Sequence, residues 1–139
     1  MSESYKTEKE LLKNSQKDDY MSDKQLSFFE NRLKHDKDAL LKSISSSKEE
    51  IAMDDDPSDE IDGATYQESR IRNLRLIERQ TKLLHKVEDA IDRIHSGEFG
   101  FCSKTGEEIG LPRLLARPTA TLSIEAKESQ ESHERTEAD

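Results

Sequence analysis

Hydrophobic residues recur at helical intervals in two separate stretches of the chain, with charged residues between them. In the first stretch the intervals are three, four and seven residues, which predicts a narrow apolar stripe along one helix. Ser22 lies three residues before Gln25, the spacing of a capping box, so we place this helix at about residues 22–51. The stripe consists of Leu26, Phe29, Leu33, Leu40 and Ile44.

The second stretch repeats close to the 3.5-residue period of a coiled-coil seam. It predicts a helix over about residues 64–96, ending at Ser96-Gly97, where glycine adopts the left-handed conformation of a helix end. Two narrow stripes are too thin for a globular core, but each buries the other in a long antiparallel coiled-coil hairpin. The predicted seam of the second helix contains Ile71, Leu74, Ile77, Thr81, Leu84, Val87, Ile91 and Ile94.

The remaining segments predict a mainly α protein with four parts. Residues 1–21 are polar and form an N-terminal arm, which we expect to be mobile or loosely docked. The hairpin spans residues 22–96, with an acidic tip at 53–64 that contains Pro57 and Gly63. Residues 97–128 form a small unit with its own apolar residues and glycines. From Lys127 a short C-terminal helix leads into a polar tail, residues 129–139, whose end we expect to fray.

Composition and charge restrict the class of function. The net charge of −9 disfavours direct DNA binding, which depends on Lys and Arg neutralising phosphates. The N-terminus has no apolar signal region, and no stretch is long enough to span a membrane. The single cysteine, Cys102, fits a reducing compartment. We therefore expect a cytoplasmic protein.

Two short segments have the spacing of a zinc ribbon but lack most of its ligands. Residues 102–105 and 123–126 are separated by seventeen residues, as two zinc knuckles are. A structural zinc ion requires four thiolates or imidazoles, and this frame supplies one. We expect no zinc to bind there. The four degenerate ligand positions are Cys102, Thr105, Ser123 and Ala126.

The order of these parts resembles the DksA/TraR family, over about residues 20–128. The tip Asp59-Glu60-Ile61-Asp62-Gly63-Ala64 is similar to that family's Asp-x-x-Asp-x-Ala tip. The run from Gly106 to Ala120 and the segment Gly97-Glu98-Phe99-Gly100-Phe101-Cys102 resemble its ribbon, and Tyr20-Met21 resembles the start of its first helix. The departure is the metal site, so the sequence resembles a cysteine-poor, zinc-independent branch.

The resemblance implies a regulator of bacterial RNA polymerase rather than an enzyme. Such proteins insert the coiled coil through the secondary channel, where the tip approaches the active centre. Asp59 and Asp62 match the functional tip aspartates and Ala64 the small tip residue. The implied function is destabilising or redirecting open promoter complexes, including repression of ribosomal RNA promoters in the stringent response. We expect a monomer.

The resemblance also implies a site for guanosine tetraphosphate (ppGpp), completed by polymerase. Basic groups suit its phosphates. Arg79 and Arg113 match further positions linked to polymerase binding and to joining the hairpin with the ribbon. The residues that match the ppGpp site are Leu83, Lys86, Arg117 and Lys127.

Other interpretations stay open at this point. A generic coiled-coil adaptor or scaffold would use the acidic tip on another partner. Cys102 as a catalytic nucleophile is disfavoured because no partner motif accompanies it. The loss of three zinc ligands suggests a protein suited to zinc starvation or oxidative stress, since four clustered thiolates depend on metal supply and are oxidisable.

Overall fold

The computed structural model describes residues 4–53 and 63–138 of the chain. The two long helices, α2 (Asp23–Met53) and α3 (Gly63–Ser96), pack together as a hairpin, which confirms the mainly α class and the coiled-coil fold. The described ranges contain one isolated β-bridge, between Phe101 and Glu108, and no extended β-strand. None of the described helices is long and apolar enough to cross a membrane. The five helices are α1 (Glu8–Lys13), α2 (Asp23–Met53), α3 (Gly63–Ser96), α4 (Leu111–Ala116) and α5 (Ile124–Ala138).

The start of α2 uses the predicted cap with one change. Ser22 Oγ accepts a hydrogen bond from the Gln25 backbone N–H at 3.3 Å. The Gln25 side-chain oxygen accepts from the Met21 N–H at 2.8 Å, one residue before the position that a capping box uses. Gln25 is fully buried, and within the described part of the chain its Nε2 has no hydrogen-bond partner.

The chain divides into two compact units. The base unit joins the chain up to Leu33 with the chain from Asp89 onward, and the distal unit runs from Lys34 to Glu88. Both long helices therefore contribute to both units. We describe each unit by itself.

The base unit contains most of the buried apolar side chains. Phe29 and Leu33 of the predicted α2 stripe are fully buried, which confirms that assignment. Phe29 packs edge-on against Phe28, with ring centroids 5.3 Å apart, and at a tilt against Phe99, with centroids 5.4 Å apart. Leu114 of α4 is also fully buried. The core of this unit thus includes side chains of α2, α4 and the segment after α3.

The distal unit has a thin seam. Ile44 and Val87 are buried, but the assignment of Ile71 and Leu74 to the seam is wrong, since they are 46% and 49% exposed. Asn73 takes the half-buried position one turn before Ile77. A polar residue therefore occupies the seam near the start of α3. The apolar repeat in the sequence extends to Ile71 and Leu74, which the other helix does not bury.

The N-terminal arm is docked where the structure describes it, against the expectation of a loose segment. Thr7 caps α1 by accepting a hydrogen bond from the Glu10 N–H at 3.1 Å. Leu11 is fully buried, and the Tyr5 hydroxyl donates to the Asp18 carboxylate. That bond, together with burial, raises the pKa of Tyr5 to about 12. The burial of Leu11 and these hydrogen bonds contribute to holding this short helix in place.

The C-terminal helix is longer than expected. α5 continues to Ala138, through the region predicted as a fraying polar tail. Among residues 124–136, whose burial is described, Ala126 is the last buried one, and residues 131–136 are exposed. Bonds between residues four apart support the exposed part, such as Gln130 Nε2 to Glu134 Oε1 at 3.1 Å.

Candidate functional site

The structure describes part of the predicted tip. Asp59 and Asp62 lie outside the described residues, so their placement as polymerase contacts stays a prediction. Ala64 is the second residue of α3, and its side chain is exposed. Its predicted role also stays a prediction.

One face of α3 in the distal unit is basic. Its cations recur at spacings of three and four residues, which places them along one side of a helix. All five are exposed, and the face contains two predicted residues, Arg79 and Lys86. The other three were missed, although the same spacing in the sequence would have found them. The basic face consists of Arg72, Arg75, Arg79, Lys82 and Lys86.

Most charges of this face are not neutralised by the residues that the structure describes. Lys82 Nζ lies 3.3 Å from Glu78 Oε1, a fully hydrated pair that contributes little to stability. Among residues 4–53 and 63–138, Arg75, Arg79 and Lys86 make no ion pair with a carboxylate. Exposed cations without internal partners remain available to an anionic ligand or an acidic protein surface.

Two open grooves follow this face. One has a volume of about 740 Å³ and lies between Glu50 and Met53 of α2 and the arginines of α3, including Arg72 and Arg79. The other has a volume of about 390 Å³ and contains Lys86 and Leu83, whose side chain is 43% exposed. The structure thus places Arg79, Leu83 and Lys86 on one continuous groove-lined surface.

The base unit holds the other predicted cations. Arg113, in α4, is half-buried and donates from Nε to the Leu122 carbonyl at 2.9 Å, so it ties α4 to the following segment. Arg117 ends α4 and is exposed. Lys127 is half-buried in the first turn of α5. These residues belong to a different unit from Leu83 and Lys86.

The two degenerate knuckles lie next to each other in the base unit. Cys102 is 3% exposed, and its sulfur accepts hydrogen bonds from the Thr105 hydroxyl and from the backbone N–H groups of Ser123, Thr105 and Lys104. These donors lower the pKa of the Cys102 thiol to about 6, although burial acts in the opposite direction. Ser123 is buried too, and its hydroxyl accepts from the Ala126 N–H at 3.1 Å.

This frame does not fit a four-ligand zinc site. Cys102 supplies one thiolate, Thr105 and Ser123 supply neutral hydroxyls, and Ala126 supplies a methyl group. In the described ranges no group of three or more His, Cys, Asp or Glu side chains is placed to hold a metal ion. The Thr105 hydroxyl, followed by the neighbouring backbone N–H groups, therefore favours the thiolate form of Cys102.

Three comparisons with known proteins agree with this arrangement. Residues 25–94 match the DnaK suppressor protein DksA, N-terminal domain, and residues 97–132 match the prokaryotic dksA/traR C4-type zinc finger. The chain is 37% identical over 133 residues to the RNA polymerase-binding transcription factor DksA of Caulobacter vibrioides, covering 95% of this chain and 94% of that one. It is 33% identical to the Escherichia coli protein of the same name, covering 85% of this chain and 79% of that one.

A solved structure gives the same result. Transcription factor DksA2 from Pseudomonas aeruginosa has a TM-score of 0.83 and 46% identity, covering 93% of this chain and 99% of that one. The chain retains both matched parts of the family, with one cysteine where the second part is described as a C4-type zinc finger. On these grounds the chain belongs to the DksA/TraR family, as a cysteine-poor member.

Proposed function

We propose that this chain is a transcription factor that binds bacterial RNA polymerase. It acts from the secondary channel, where the acidic tip with Asp59 and Asp62 approaches the active centre and destabilises promoter open complexes. The observation that carries the proposal is the 37% identity across 95% of the chain to a protein named as an RNA polymerase-binding transcription factor. The chain itself performs no catalysis, and works as a cytoplasmic monomer without direct contact to DNA.

The two long helices support this mode of action. α2 has 31 residues and α3 has 34, and a helix of this size is about 50 Å long. The tip sequence lies where α2 ends and α3 begins, so it is remote in sequence from the core of the base unit. Carboxylates at this position suit a channel that is positively charged and holds Mg²⁺ at its centre.

The basic face of α3 supports a second contact with polymerase. Arg75 and Arg79 are exposed and make no ion pair among the described residues, and guanidinium groups bind carboxylates in a bidentate manner. We infer that Arg79 binds an acidic surface of polymerase. The tip and the basic face then have opposite charges and different targets.

The effector of this activity is guanosine tetraphosphate. Leu83 and Lys86 of the distal unit match the family's alarmone positions, as do Arg117 and Lys127 of the base unit, and polymerase completes the site. The exposed Lys86 and Arg117 are free to bind phosphate oxygens. Through this site the protein represses ribosomal RNA promoters in the stringent response, and it does so without zinc.

In vitro transcription from a ribosomal promoter, with and without guanosine tetraphosphate, tests the proposal. The wild-type chain should lower transcript yield, and more so with the alarmone. Asp62→Asn should abolish this repression while retaining binding to core polymerase, because it removes only the tip charge. Asp38→Asn is the matched control, since it removes the same charge from an exposed position on α2.

An adaptor or scaffold protein that uses its tip on another partner gives a different result. In that case Asp62→Asn and the wild-type chain would leave promoter output equally unchanged, and neither would co-purify with polymerase. Circular dichroism of both variants checks that the helices are intact.

A further inference from the structure

The hydroxyl of Tyr20 connects three segments of the base unit. It donates a hydrogen bond to the Gly100 carbonyl at 2.6 Å and accepts one from the Gly110 N–H at 2.9 Å. Tyr20 itself lies just before α2, while Gly100 and Gly110 flank the isolated bridge from Phe101 to Glu108. One oxygen atom thus joins the start of the hairpin to both ends of this loop.

The surroundings hold Tyr20 in one position. Its ring packs edge-on against Phe101, with centroids 5.5 Å apart. Met21 adopts a positive φ of 57°, and a Cβ on Gly100 would lie 2.7 Å from the Met21 sulfur. Burial raises the pKa of Tyr20 above its usual value, which already keeps a phenol protonated at neutral pH. The contact therefore has a single hydrogen-bonding arrangement at neutral pH.

Gly110 is the residue immediately before α4. It has a φ of 99° and no side chain to cap the helix, and its carbonyl accepts the Leu114 N–H at 3.1 Å. α4 has only six residues, too few to be stable on its own, so tertiary contacts hold it. Its three leucines are buried, and hydrogen bonds at its two ends add directional contacts. At the far end Arg32 Nη1 donates to the Leu115 carbonyl at 2.6 Å. At the near end the contact is Tyr20.

We propose that Tyr20 is a positioning residue for α4. By fixing Gly110 it sets where α4 begins, and hence the direction from which Arg113 and Arg117 are presented. This inference rests on the proposed function, since Arg117 belongs to the proposed alarmone site. Tyr20 touches neither polymerase nor alarmone in this proposal and acts only through α4.

The test compares Tyr20→Phe with Tyr5→Phe in the full chain. Each change removes one hydroxyl from a part-buried hydrogen bond in the base unit, but the Tyr5 partner is Asp18, in the arm. Hydrogen exchange should be faster at the Gly110 and Leu114 amides in Tyr20→Phe, by roughly fivefold for a bond worth about 1 kcal/mol. Tyr5→Phe should leave these two amides at the wild-type rate.

A functional measurement separates positioning from general stability. The guanosine tetraphosphate concentration for half-maximal repression of a ribosomal promoter should rise severalfold in Tyr20→Phe and stay unchanged in Tyr5→Phe. Equal midpoints and equal exchange rates in the two variants would overturn the inference. A wild-type chain that ignores the alarmone would instead contradict the proposed alarmone site, and the exchange rates would still decide whether Tyr20 positions α4.

Discussion

The base unit and the distal unit are stabilised in different ways. In the base unit Leu11, Phe29, Leu33 and Leu114 are each fully buried. In the distal unit the buried apolar side chains among described residues are Ile44 and Val87 alone, both at a few per cent exposure. Hydrophobic burial therefore stabilises the base unit, while the distal unit has a surface rich in exposed charged and apolar side chains.

The same helix passes through both environments, so matched substitutions can measure the contrast. Leu33→Ala should destabilise the protein by about 2–5 kcal/mol, because it leaves a cavity in the base core. Leu41→Ala, on the same helix but 46% exposed, should cost less than about 1 kcal/mol. Urea denaturation followed by circular dichroism measures both. Similar losses would mean that the two units are equally well packed.

Cys102 should make the stability of the base unit depend on pH. Its folded pKa is about 6, against 9.0 for an ordinary thiol, so the folded state binds fewer protons between these values. Stability from this group is fully present above about pH 9 and is lost as pH falls towards 6. Cys102→Ser should reduce the slope of stability against pH over this window. The measurement is the urea midpoint at several pH values for both chains, and identical slopes would refute the effect.

A smaller and opposite effect is expected in the distal seam. Gln80 donates to Ser43 Oγ, but its buried Oε1 has no partner within the described ranges. Gln80→Leu should therefore stabilise the protein by about 1 kcal/mol, as the unpaired oxygen is removed and apolar area is added. Thermal unfolding would show a raised midpoint. A lowered midpoint would show that the Ser43 bond outweighs the unpaired oxygen.

The sequence predicted the long helices well, because strong periodic stripes and a cap specify them. α2 was expected over residues 22–51 and spans Asp23–Met53, and α3 was expected over 64–96 and spans Gly63–Ser96. The periodicity failed at Leu74, where an apolar residue at the right spacing faces solvent. Spacing marks a face of a helix, but only the partner helix decides how far along that face burial extends.

The short elements were harder to predict. α1 and α4 have six residues each and are held by tertiary contacts such as the burial of Leu11, which no local pattern reports. The Thr7 to Glu10 spacing was a readable cap signal for α1. For the candidate site, knuckle spacing identified the segments that hold Cys102 and Ser123, and the resemblance supplied Arg79 and Lys86. The wider basic face was missed, although its spacing of three and four residues is readable in the sequence.

The docking of the arm also determines how the protein should be handled. A single guanidinium, that of Arg32, contacts both Glu8 of the arm, at 3.1 Å, and the Leu115 carbonyl of α4. Trimming the arm or fusing a purification tag to it would thus disturb α4 as well, and could imitate a defect in alarmone response. A tag on the carboxyl side, where residues 131–136 are exposed, avoids that artefact.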